Sequence, residues 1–398
     1  FGKTIFSDVS GQTNFGVHSG STLSEGTYSS VLSGLTASEI ASGTSEIHIN
    51  SNACDDIVGT SATVGSNCGD LDISGSNSNV TISSGVTVSG PGDQNWTLTN
   101  STGSLWDLVV EDEDDVLNTG TATTLTNLGT ISTGDDWGIL NDTNASFTTL
   151  SNSGAISAST DFGIYNKGLI TSMSNTGTIS AGRNWGIYNE GSATITTLTN
   201  TGTISASGNN IGIHNATSST ITTLNNSQGA SGSALTYQGK LPTNYNVIVN
   251  STTDFGKTIF SDVSGQTNFG VHSGSTLSEG TYSSVLSGLT ASNISSGVIG
   301  THSNVNACSD VDAANATFSS NCAELDISGD GSDVTINSGI TISGVGDYDW
   351  TLSNSSGTTW DLVSTAQLDD VVNTGTNTLL NNLGTITALG GGGNGIFN

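Results

Sequence analysis

Apolar side chains recur along the middle of the chain at three fixed places in a unit of about 23 to 26 residues. The units read LTNLGTIS…WGILN, LSNSGAIS…FGIYN, MSNTGTIS…WGIYN and LTNTGTIS…IGIHN, with Ser, Thr, Asn and Gly between the apolar places. The first place holds Leu125, Leu150, Met173, Leu198 and Leu224; the second holds Ile131, Ile156, Ile179 and Ile204; the third holds Ile139, Ile164, Ile187 and Ile213. This spacing is the length of one supersecondary unit rather than of a domain.

Each apolar place lies in a short β-type run bounded by Gly, Asn or Ser, which predicts strands of roughly three to five residues. One unit offers about three apolar side chains and cannot bury them alone, so stacked units are needed to form a continuous core. Helix is excluded because the apolar residues do not recur at i, i+3 and i+4 and the residues between them are poor helix formers. The pattern predicts an all-β, right-handed parallel β-helix, a β-solenoid with three faces.

Asparagine follows the third apolar place in every unit, at Asn141, Asn166, Asn189 and Asn215. A second set follows the first place, at Asn127, Asn152, Asn175, Asn200 and Asn226. Asparagine tolerates the left-handed backbone that corners need, and stacked amides bond to one another along an axis. A ladder of corner asparagines is favoured over a polar row that binds a ligand.

A bulky apolar residue also recurs just before each GI pair, at Trp137, Phe162, Trp185 and Ile211. Two interpretations are open. The residues form either a stripe on which sugars stack or an apolar stack that covers a corner, and the second is favoured.

A larger repeat overrides any count of domains from length. The segment 1–38 is identical to 255–292, an offset of 254 residues that also relates Cys54 to Cys308 and Trp96 to Trp350. Because both ends fall within a unit, we expect these 398 residues to be part of a longer chain of tandem copies. Six segments are predicted: junction module 1–52, disulfide-bearing coils 53–115, regular coils 116–229, a second junction module 230–306, second disulfide-bearing coils 307–369, and the start of further regular coils 370–398.

Residues 54–110 contain strand signals every 8 to 10 residues, which suggests stacked coils here as well. The paired tryptophans Trp96, Trp106, Trp350 and Trp360 are interpreted as core plugs where the coil cross-section changes, with a carbohydrate platform as the alternative.

Cysteines stand at Cys54, Cys68, Cys308 and Cys322, and the members of each pair are 14 positions apart. An even count at equal spacing predicts two local disulfides, each worth about 3 kcal/mol, and an oxidising compartment. The rival interpretation is zinc bound with the help of His48 and His302.

The chain has 34 acidic and 5 basic residues, a net charge of −29, and the basic residues do not cluster. Phosphate binding needs a basic patch, so nucleic acid and an anionic membrane surface are excluded as partners. The chain has no apolar run of transmembrane length and no signal peptide, although its first residue is not expected to be a natural N-terminus.

Residues suited to catalysis are few. Lys167 and Arg183 are the only basic candidates in the regular coils, and Asp135, Asp136 and the acidic run 111–115 are paired carboxylates by proximity alone. Asp326, Asp330 and Asp333 resemble a weak calcium loop, in which the first copy has Asp72, Ser76 and Asn79. No cofactor is expected apart from this weak case for calcium.

Repeats such as NTGTISASGNNIGIHN resemble the passenger regions of autotransporter and haemagglutinin-like surface proteins of Gram-negative bacteria. TNFGVHSGSTLSEGTYSSVLSGLTASNIS followed by DWTLSNSSGTTWDLV is similar to the capping portion of such passengers. Here that segment occurs twice, and no translocator domain accompanies it. The resemblance implies a secreted β-helix at the outer surface of a Gram-negative-type bacterium, used for adhesion or surface coating.

The sequence therefore predicts a non-enzymatic extracellular structural or adhesive fibre of tandem repeats of about 254 residues. Its partners would be neighbouring repeats, other copies of the chain, and surface glycans or other cells. The alternative is a carbohydrate-binding or carbohydrate-active β-helix of the lyase or glycosidase kind.

Overall fold

The computed structural model describes residues 1–90, 92–112, 115–134, 136–388 and 393–398. Its strands are short, and the helical segments in this part of the chain are two single 3₁₀ turns, Ala37–Glu39 and Ala291–Asn293. No helix among these residues has the length and apolar character needed to cross a membrane. The fold is all-β, and it divides into two compact units, Phe1–Thr222 with Thr236–Lys240, and Thr223–Leu235 with Leu241–Asn398.

The strands up to the end of the first unit are β1 (Thr4–Ile5), β2 (Thr13–Asn14), β3 (Gly26–Ser33), β4 (Ile40–Ser42), β5 (Ser45–Ile49), β6 (Ile57–Val58), β7 (Ser61–Val64), β8 (Leu71–Ser74), β9 (Asn79–Ile82), β10 (Thr87–Val88), β11 (Asp93–Asn100), β12 (Leu105–Asp112), β13 (Val116–Asn118), β14 (Thr123–Asn127), β15 (Thr130–Thr133), β16 (Trp137–Asn141), β17 (Ser146–Asn152), β18 (Ala155–Ala158), β19 (Phe162–Asn166), β20 (Leu169–Asn175), β21 (Thr178–Ala181), β22 (Trp185–Asn189), β23 (Thr194–Asn200), β24 (Thr203–Ala206), β25 (Ile211–Asn215), β26 (Thr220–Asn226) and β27 (Leu235–Lys240). The remaining strands are β28 (Asn244–Val247), β29 (Thr258–Ser264), β30 (Thr267–Val271), β31 (Gly280–Ser287), β32 (Ile294–Ser296), β33 (Ile299–Ser303), β34 (Val311–Asp312), β35 (Asn315–Phe318), β36 (Leu325–Ser328), β37 (Asp333–Ile336), β38 (Thr341–Ile342), β39 (Asp347–Asn354), β40 (Thr359–Ala366), β41 (Val371–Asn373), β42 (Leu379–Asn382) and β43 (Thr385–Ile386).

Three parallel sheets form the coils of the first unit. One contains β6, β8, β13, β16, β19, β22, β25 and β27; the second contains β7, β9, β14, β17, β20 and β23; the third contains β10, β15, β18, β21 and β24. Successive strands of one sheet come from successive turns of the chain, and all of them pair in parallel. The predicted three-faced β-solenoid is confirmed, whereas its right-handed winding stays a prediction.

The predicted core rows occupy the inside of these coils. Leu125 pairs with Leu150, and Ile131 pairs with Ile156, in registers that place like on like. Every residue predicted for the three rows is at most 1% exposed. A further inward row, which was not predicted, comes from the start of the second sheet's strands: Phe147, Ile170 and Ile195. The core is therefore continuous along the coils and has four apolar places per turn.

The asparagines form the ladders that their positions predict. Along the first ladder each side-chain Nδ2 donates to the Oδ1 of the next asparagine at 2.7 to 2.8 Å, through Asn118, Asn141, Asn166, Asn189 and Asn215. The second ladder runs in the same way through Asn127, Asn152, Asn175 and Asn200. These amides are almost fully buried, so the ladders satisfy polar groups that water does not reach.

One predicted run of coils is wrong. Residues 93–112 form the antiparallel hairpin β11–β12, which leaves the stack and pairs with the preceding module on both sides, β12 with β3 and β11 with β5. The coil sheets continue past the hairpin, because β8 pairs directly with β13 and β10 with β15. Strand signals at regular spacing do not reveal the partner of a strand. Here paired residues of β3 and β12 are 72 to 84 positions apart in the chain, and those of β5 and β11 are 44 to 52 apart.

The tryptophans of this hairpin are core residues, as predicted. Trp96 is 2% exposed and packs edge-on against Phe15, with ring centroids 5.6 Å apart. Trp106 is 5% exposed, and its Nε1 donates to the backbone oxygen of Leu35 at 2.9 Å. Burial of both rings rules out the carbohydrate platform at these positions.

The second unit contains a second copy of the antiparallel sheet and of the disulfide-bearing coils. Its antiparallel sheet runs β33–β39–β40–β31. The Trp360 Nε1 donates to the Leu289 oxygen at 3.0 Å, as in the first copy. Its disulfide-bearing coils form three small parallel sheets, β34–β36–β41, β35–β37–β42 and β38–β43.

Both predicted disulfides are present, Cys54–Cys68 and Cys308–Cys322. The sulfur atoms are therefore oxidised and do not bind zinc, and the two histidines of that interpretation bond elsewhere. The Nε2 of His48 lies 2.8 Å from the Ser21 oxygen, and the Nε2 of His302 lies 2.9 Å from the Ser275 oxygen. Two disulfides indicate an oxidising setting.

Candidate functional site

Two kinds of surface feature on the described coils are candidates for a binding or catalytic site. One is a row of aromatic rings on the regular coils, and the other is a group of carboxylates beside each disulfide. The aromatic row lies on the first sheet, at outward positions of β13, β16, β19, β22 and β25. The strand register stacks one line, Leu117, Leu140, Tyr165, Tyr188 and His214, next to a second line, Trp137, Phe162, Trp185 and Ile211.

Glycine explains why the rings point outward. In each WGI or FGI unit the glycine takes a cramped inward place at the corner, where an added Cβ would meet the next coil. At Gly163 that Cβ would lie 2.7 Å from the Gly186 oxygen and 2.9 Å from the Ile179 side chain. Only glycine allows this backbone approach. The preceding aromatic residue is then left on the outer surface.

The rings stack along the axis rather than presenting free faces. Phe162 lies 5.4 Å from Trp185 with the two planes within 5°, and Tyr165 lies 5.3 Å from Tyr188 with the planes within 4°. His214 continues the stack at 4.4 Å from Trp185. A sugar that stacks on an aromatic ring needs an open ring face. The stack therefore agrees with the apolar corner cover, while the side chains of Trp137, Trp185 and Tyr188 remain half-exposed.

Charged side chains border the aromatic row. The Nζ of Lys167 lies 4.6 Å from the Tyr165 ring centroid and 5.3 Å from that of Trp137, which is cation–π geometry. The Tyr165 hydroxyl donates to the Glu190 carboxylate. Burial and this bond raise the pKa of Tyr165 far above its usual range. Lys167, one of two basic catalytic candidates, thus lies over two rings, and Arg183 is exposed on the following coil.

Burial lowers the pKa of His214 below its ordinary value, and the hydrogen bond between His214 and Gln238 opposes that effect. The His214 Nδ1 lies 3.0 Å from the Gln238 Oε1. The imidazole is therefore held in its neutral form at neutral pH, and it acts as a ring of the stack.

The carboxylate group of the first unit joins three segments that are distant in sequence. Asp56 precedes β6, Asp72 is the outward residue between Leu71 and Ile73 on β8, and Asp93 opens the hairpin strand β11. One oxygen of each carboxylate lies within 4.8 Å of one oxygen of each of the others. We call this set the first carboxylate triad.

Pairing and the disulfide position the first triad. Ile57 on β6 is in register with Ile73 on β8, so the residues just before them, Asp56 and Asp72, are neighbours on the outer side. Cys54 and Cys68 tie together the two segments that carry these acids. Burial, Asp56 and Asp93 raise the pKa of Asp72 to about 6. The pKa of Asp93 is raised by burial and by Asp56, and His48 partly offsets this.

The second unit has the same arrangement, the second carboxylate triad of Asp310, Asp326 and Asp347. Glu324 stands where the first copy has Asp70, and it is hydrogen-bonded to Asp326 and Asp347. Burial, together with these two acids, raises the pKa of Glu324 well above its usual range. The second triad therefore has a fourth carboxyl group against it, and the surroundings of that group disfavour its charged form.

The predicted calcium loop at Asp326, Asp330 and Asp333 is wrong as a set. Asp326 belongs to the second triad, but Asp330 accepts hydrogen bonds from Thr376 and Asn377 at 2.8 and 2.7 Å, and Asp333 is exposed on β37. The spacing of a sequence loop failed here because the acids that meet come from three strands rather than from one turn.

The paired acids considered for catalysis are only partly described. Asp135, Glu113 and Asp114 lie outside the described residues, and the side chain of Asp112 is not described either. Asp136 is exposed beside the aromatic row, and Glu111 is exposed at the end of β12.

Sequence reasoning missed both triads, although one signal was present. Between 54–93 and 308–347, aspartate occupies the same repeat position in both copies at three places, Asp56/Asp310, Asp72/Asp326 and Asp93/Asp347. Other acids in these segments differ, such as Asp55, which is replaced by Ser309, and Asp330, which replaces Ser76. Acids kept through divergence of two copies point to one shared structural place.

Comparison of the chain with protein-family models, with curated proteins and with solved structures finds no match in any of the three. The resemblance to autotransporter and haemagglutinin-like passengers stays a prediction.

Proposed function

We propose that the chain is a non-enzymatic structural segment of an extracellular surface fibre, assembled from tandem repeats of about 254 residues. One observation carries the proposal. Both copies of the repeat build the same antiparallel junction sheet, β5–β11–β12–β3 and β33–β39–β40–β31, and both carry disulfide-bearing coils in the chain between the strands of that sheet. A structural module that recurs at a constant interval along the chain suits a protein whose function depends on its extended length.

The composition supports the same role. A charge of −29 with 5 basic residues keeps neighbouring molecules apart and soluble. The disulfides suit an oxidising space outside the cytosol. Placement on the outer surface of a Gram-negative-type cell, and adhesion to other cells, are parts of the proposal that rest on the resemblance alone.

Labelling of intact cells tests the location. Antibodies against the full chain are expected to label the producing cells without permeabilisation, and protease added outside should remove the label. Label that needs permeabilisation would overturn the proposal. A cytoplasmic protein of the same cells, labelled in parallel, controls for leakage.

A second candidate function is carbohydrate binding along the aromatic row, favoured by the half-exposed side chains of Trp137, Trp185 and Tyr188 and by the flanking polar groups of Lys167 and Glu190. Glycan-array binding by the full chain would support it if Trp185→Ala abolished binding. Tyr348→Ala, which removes a half-buried ring outside the row, is the matched control. Equal binding by both variants would remove this candidate.

A further inference from the structure

We propose that each repeat holds one divalent cation, with calcium the ion that fits best, between the three carboxylates of its triad. The ligands are Asp56, Asp72 and Asp93 in the first copy and Asp310, Asp326 and Asp347 in the second. This inference is independent of the fibre proposal, because it concerns a binding site in each repeat and not the place or purpose of the chain.

The ligand geometry suits calcium. All three ligands are carboxylate oxygens, which hard divalent cations prefer, and the chosen oxygens lie within 4.8 Å of one another. Oxygens bound to one Ca²⁺ ion at roughly 2.3–2.6 Å lie at most about 4.6 to 5.2 Å apart, so three oxygens within 4.8 Å of one another can share one such ion. Calcium is favoured over Mg²⁺ because it tolerates irregular sets of 6 to 8 oxygen ligands, whereas Mg²⁺ demands near-ideal octahedral geometry.

A second observation points to a ligand: each triad contains a buried oxygen without a hydrogen-bond partner. Asp93 is 8% exposed and Asp347 is 2% exposed, and the Oδ1 of each is buried and unpaired. A buried carboxylate oxygen without a hydrogen-bond partner is costly, and two more carboxylates beside it increase the cost. A cation between the three removes both penalties at once.

The charged groups that act on the first triad do not neutralise its three carboxylates, which a cation could do. The charges that act on Asp72 are those of Asp56 and Asp93, which have the same sign as its own. His48 partly offsets the raised pKa of Asp93, and its Nε2 lies 2.8 Å from the Ser21 oxygen. Burial, and after it the neighbouring like charges, raises the pKa of Asp72 and of Asp93, and a bound cation would offset both effects.

Solvent access to the triad and the coordination number of calcium also fit a bound ion. Exposure falls in order through Asp56, which is exposed, Asp72, which is half-buried, and Asp93, which is buried. The second triad has the same order. Calcium takes 6 to 8 oxygen ligands, and the open side at Asp56 lets water supply those that the carboxylates do not.

The ion would fasten three segments together. Asp56 belongs to the disulfide loop, Asp72 to the first coil sheet, and Asp93 to the hairpin that leaves the stack to pair with the junction sheet. A bound ion therefore joins the junction sheet to the coils in each repeat, beside the disulfide that fixes two of the three segments. We expect calcium to raise the melting temperature of the full chain.

Calorimetric titration of the full chain with CaCl₂, after treatment with EDTA, tests the site. Two ions should bind per chain, with affinities on the order of 10⁻⁴ M, as is usual for extracellular modules. Asp72→Asn and Asp326→Asn should each remove one ion, and the double variant should remove both. Asp55→Asn and Asp312→Asn change the same charge at exposed acids beside the triads and should still bind two.

Thermal unfolding shows whether the triad variants lose calcium because the site is changed or because they fail to fold. In EDTA the two triad variants should melt at or above the temperature of the unchanged chain, because each removes a like charge, and calcium should no longer stabilise the altered site. Absence of calcium binding, unchanged stoichiometry in the double variant, or equal loss in the control variants would overturn the proposal. A lower melting temperature of Asp72→Asn in EDTA would contradict the repulsion on which it rests.

Discussion

Asp72 lies opposite Leu117 in the parallel ladder between β8 and β13. Leu117 pairs in turn with Leu140, and the same outward place in the next two coils holds Tyr165 and Tyr188. One line along the first sheet therefore changes from a carboxylate to aromatic rings while the backbone pairing stays constant. The backbone of the coils is constant along this line, and the residue at each outward position determines the chemical character of the surface there.

Charge placed in a core row should damage the fold far more than the same charge placed beside it. Ile179 is fully buried between Ile156 and Ile204, whereas Ser180 is half-buried on the outer side. Ile179→Asp buries an unpaired carboxylate and should cost roughly several kcal/mol. Ser180→Asp is the matched control and should cost much less. Denaturant unfolding of both variants measures the difference, and equal midpoints would refute the core assignment.

Loss of one rung should weaken the asparagine ladder on both sides. Asn166→Ala removes the bond that the Asn141 Nδ2 donates along the ladder and the bond that the Asn189 Oδ1 accepts, both in a buried place. A buried group left unsatisfied costs about 1–3 kcal/mol, and the Asn141 Nδ2 keeps its second bond, to the Leu169 oxygen at 3.2 Å. Asn209→Ala removes one exposed bond, to the Ile211 backbone N–H, and should change stability by no more than about 0.5 kcal/mol. Chemical denaturation compares them. A cost for Asn166→Ala as small as that of the control would mean that the ladder contributes nothing.

Acid should weaken the regular coils through His214. Its pKa is lowered in the folded chain, so the unfolded chain takes up a proton first as the pH falls below about 6.5. The stabilising contribution of the neutral ring is thus present above that pH and is lost as the pH falls towards the folded pKa. His214→Gln should abolish this part of the pH dependence. Melting temperatures between pH 7.5 and 5 measure it, and an unchanged slope in the variant would contradict the assignment.

The junction hairpin should depend on its buried tryptophan. Trp106→Ala removes a ring that is 5% exposed, together with its bond to Leu35, and should cost about 3–5 kcal/mol. Amide exchange should rise in β3 and β5, which this hairpin holds, before it rises in the regular coils. Trp137→Ala removes a half-buried ring of the aromatic row and serves as the control. Protection of β3 and β5 that falls equally in both variants would contradict a separate junction sheet.

The regular coils could be predicted from the sequence because their information is local and repeated. Ile131, Ile156 and Ile179 occupy equivalent places, and a period fixes both the strands and their register. The fourth inward row escaped prediction, because Phe147, Ile170 and Ile195 differ in type and are absent from the first unit of the series. The corner asparagines were predictable for the same reason as the core rows.

The hairpin and the triads could not be predicted in this way. β12 pairs with β3 across a long stretch of chain, and alternation within a strand indicates a buried face but not which strand lies beside it. Asp56, Asp72 and Asp93 meet only because that hairpin returns to the first coils. The sequence therefore predicted acids and strands but not their meeting point.

Electron micrographs of the surface of cells that produce the chain, with the filaments identified by antibody, test the central claim most directly. If tandem repeats build a structural fibre, the label should lie along thin filaments with an axial period on the order of 50 Å, from roughly ten coils about 4.8 Å apart in each repeat. Label on the surface without filaments, or filaments without such a period, would contradict the account.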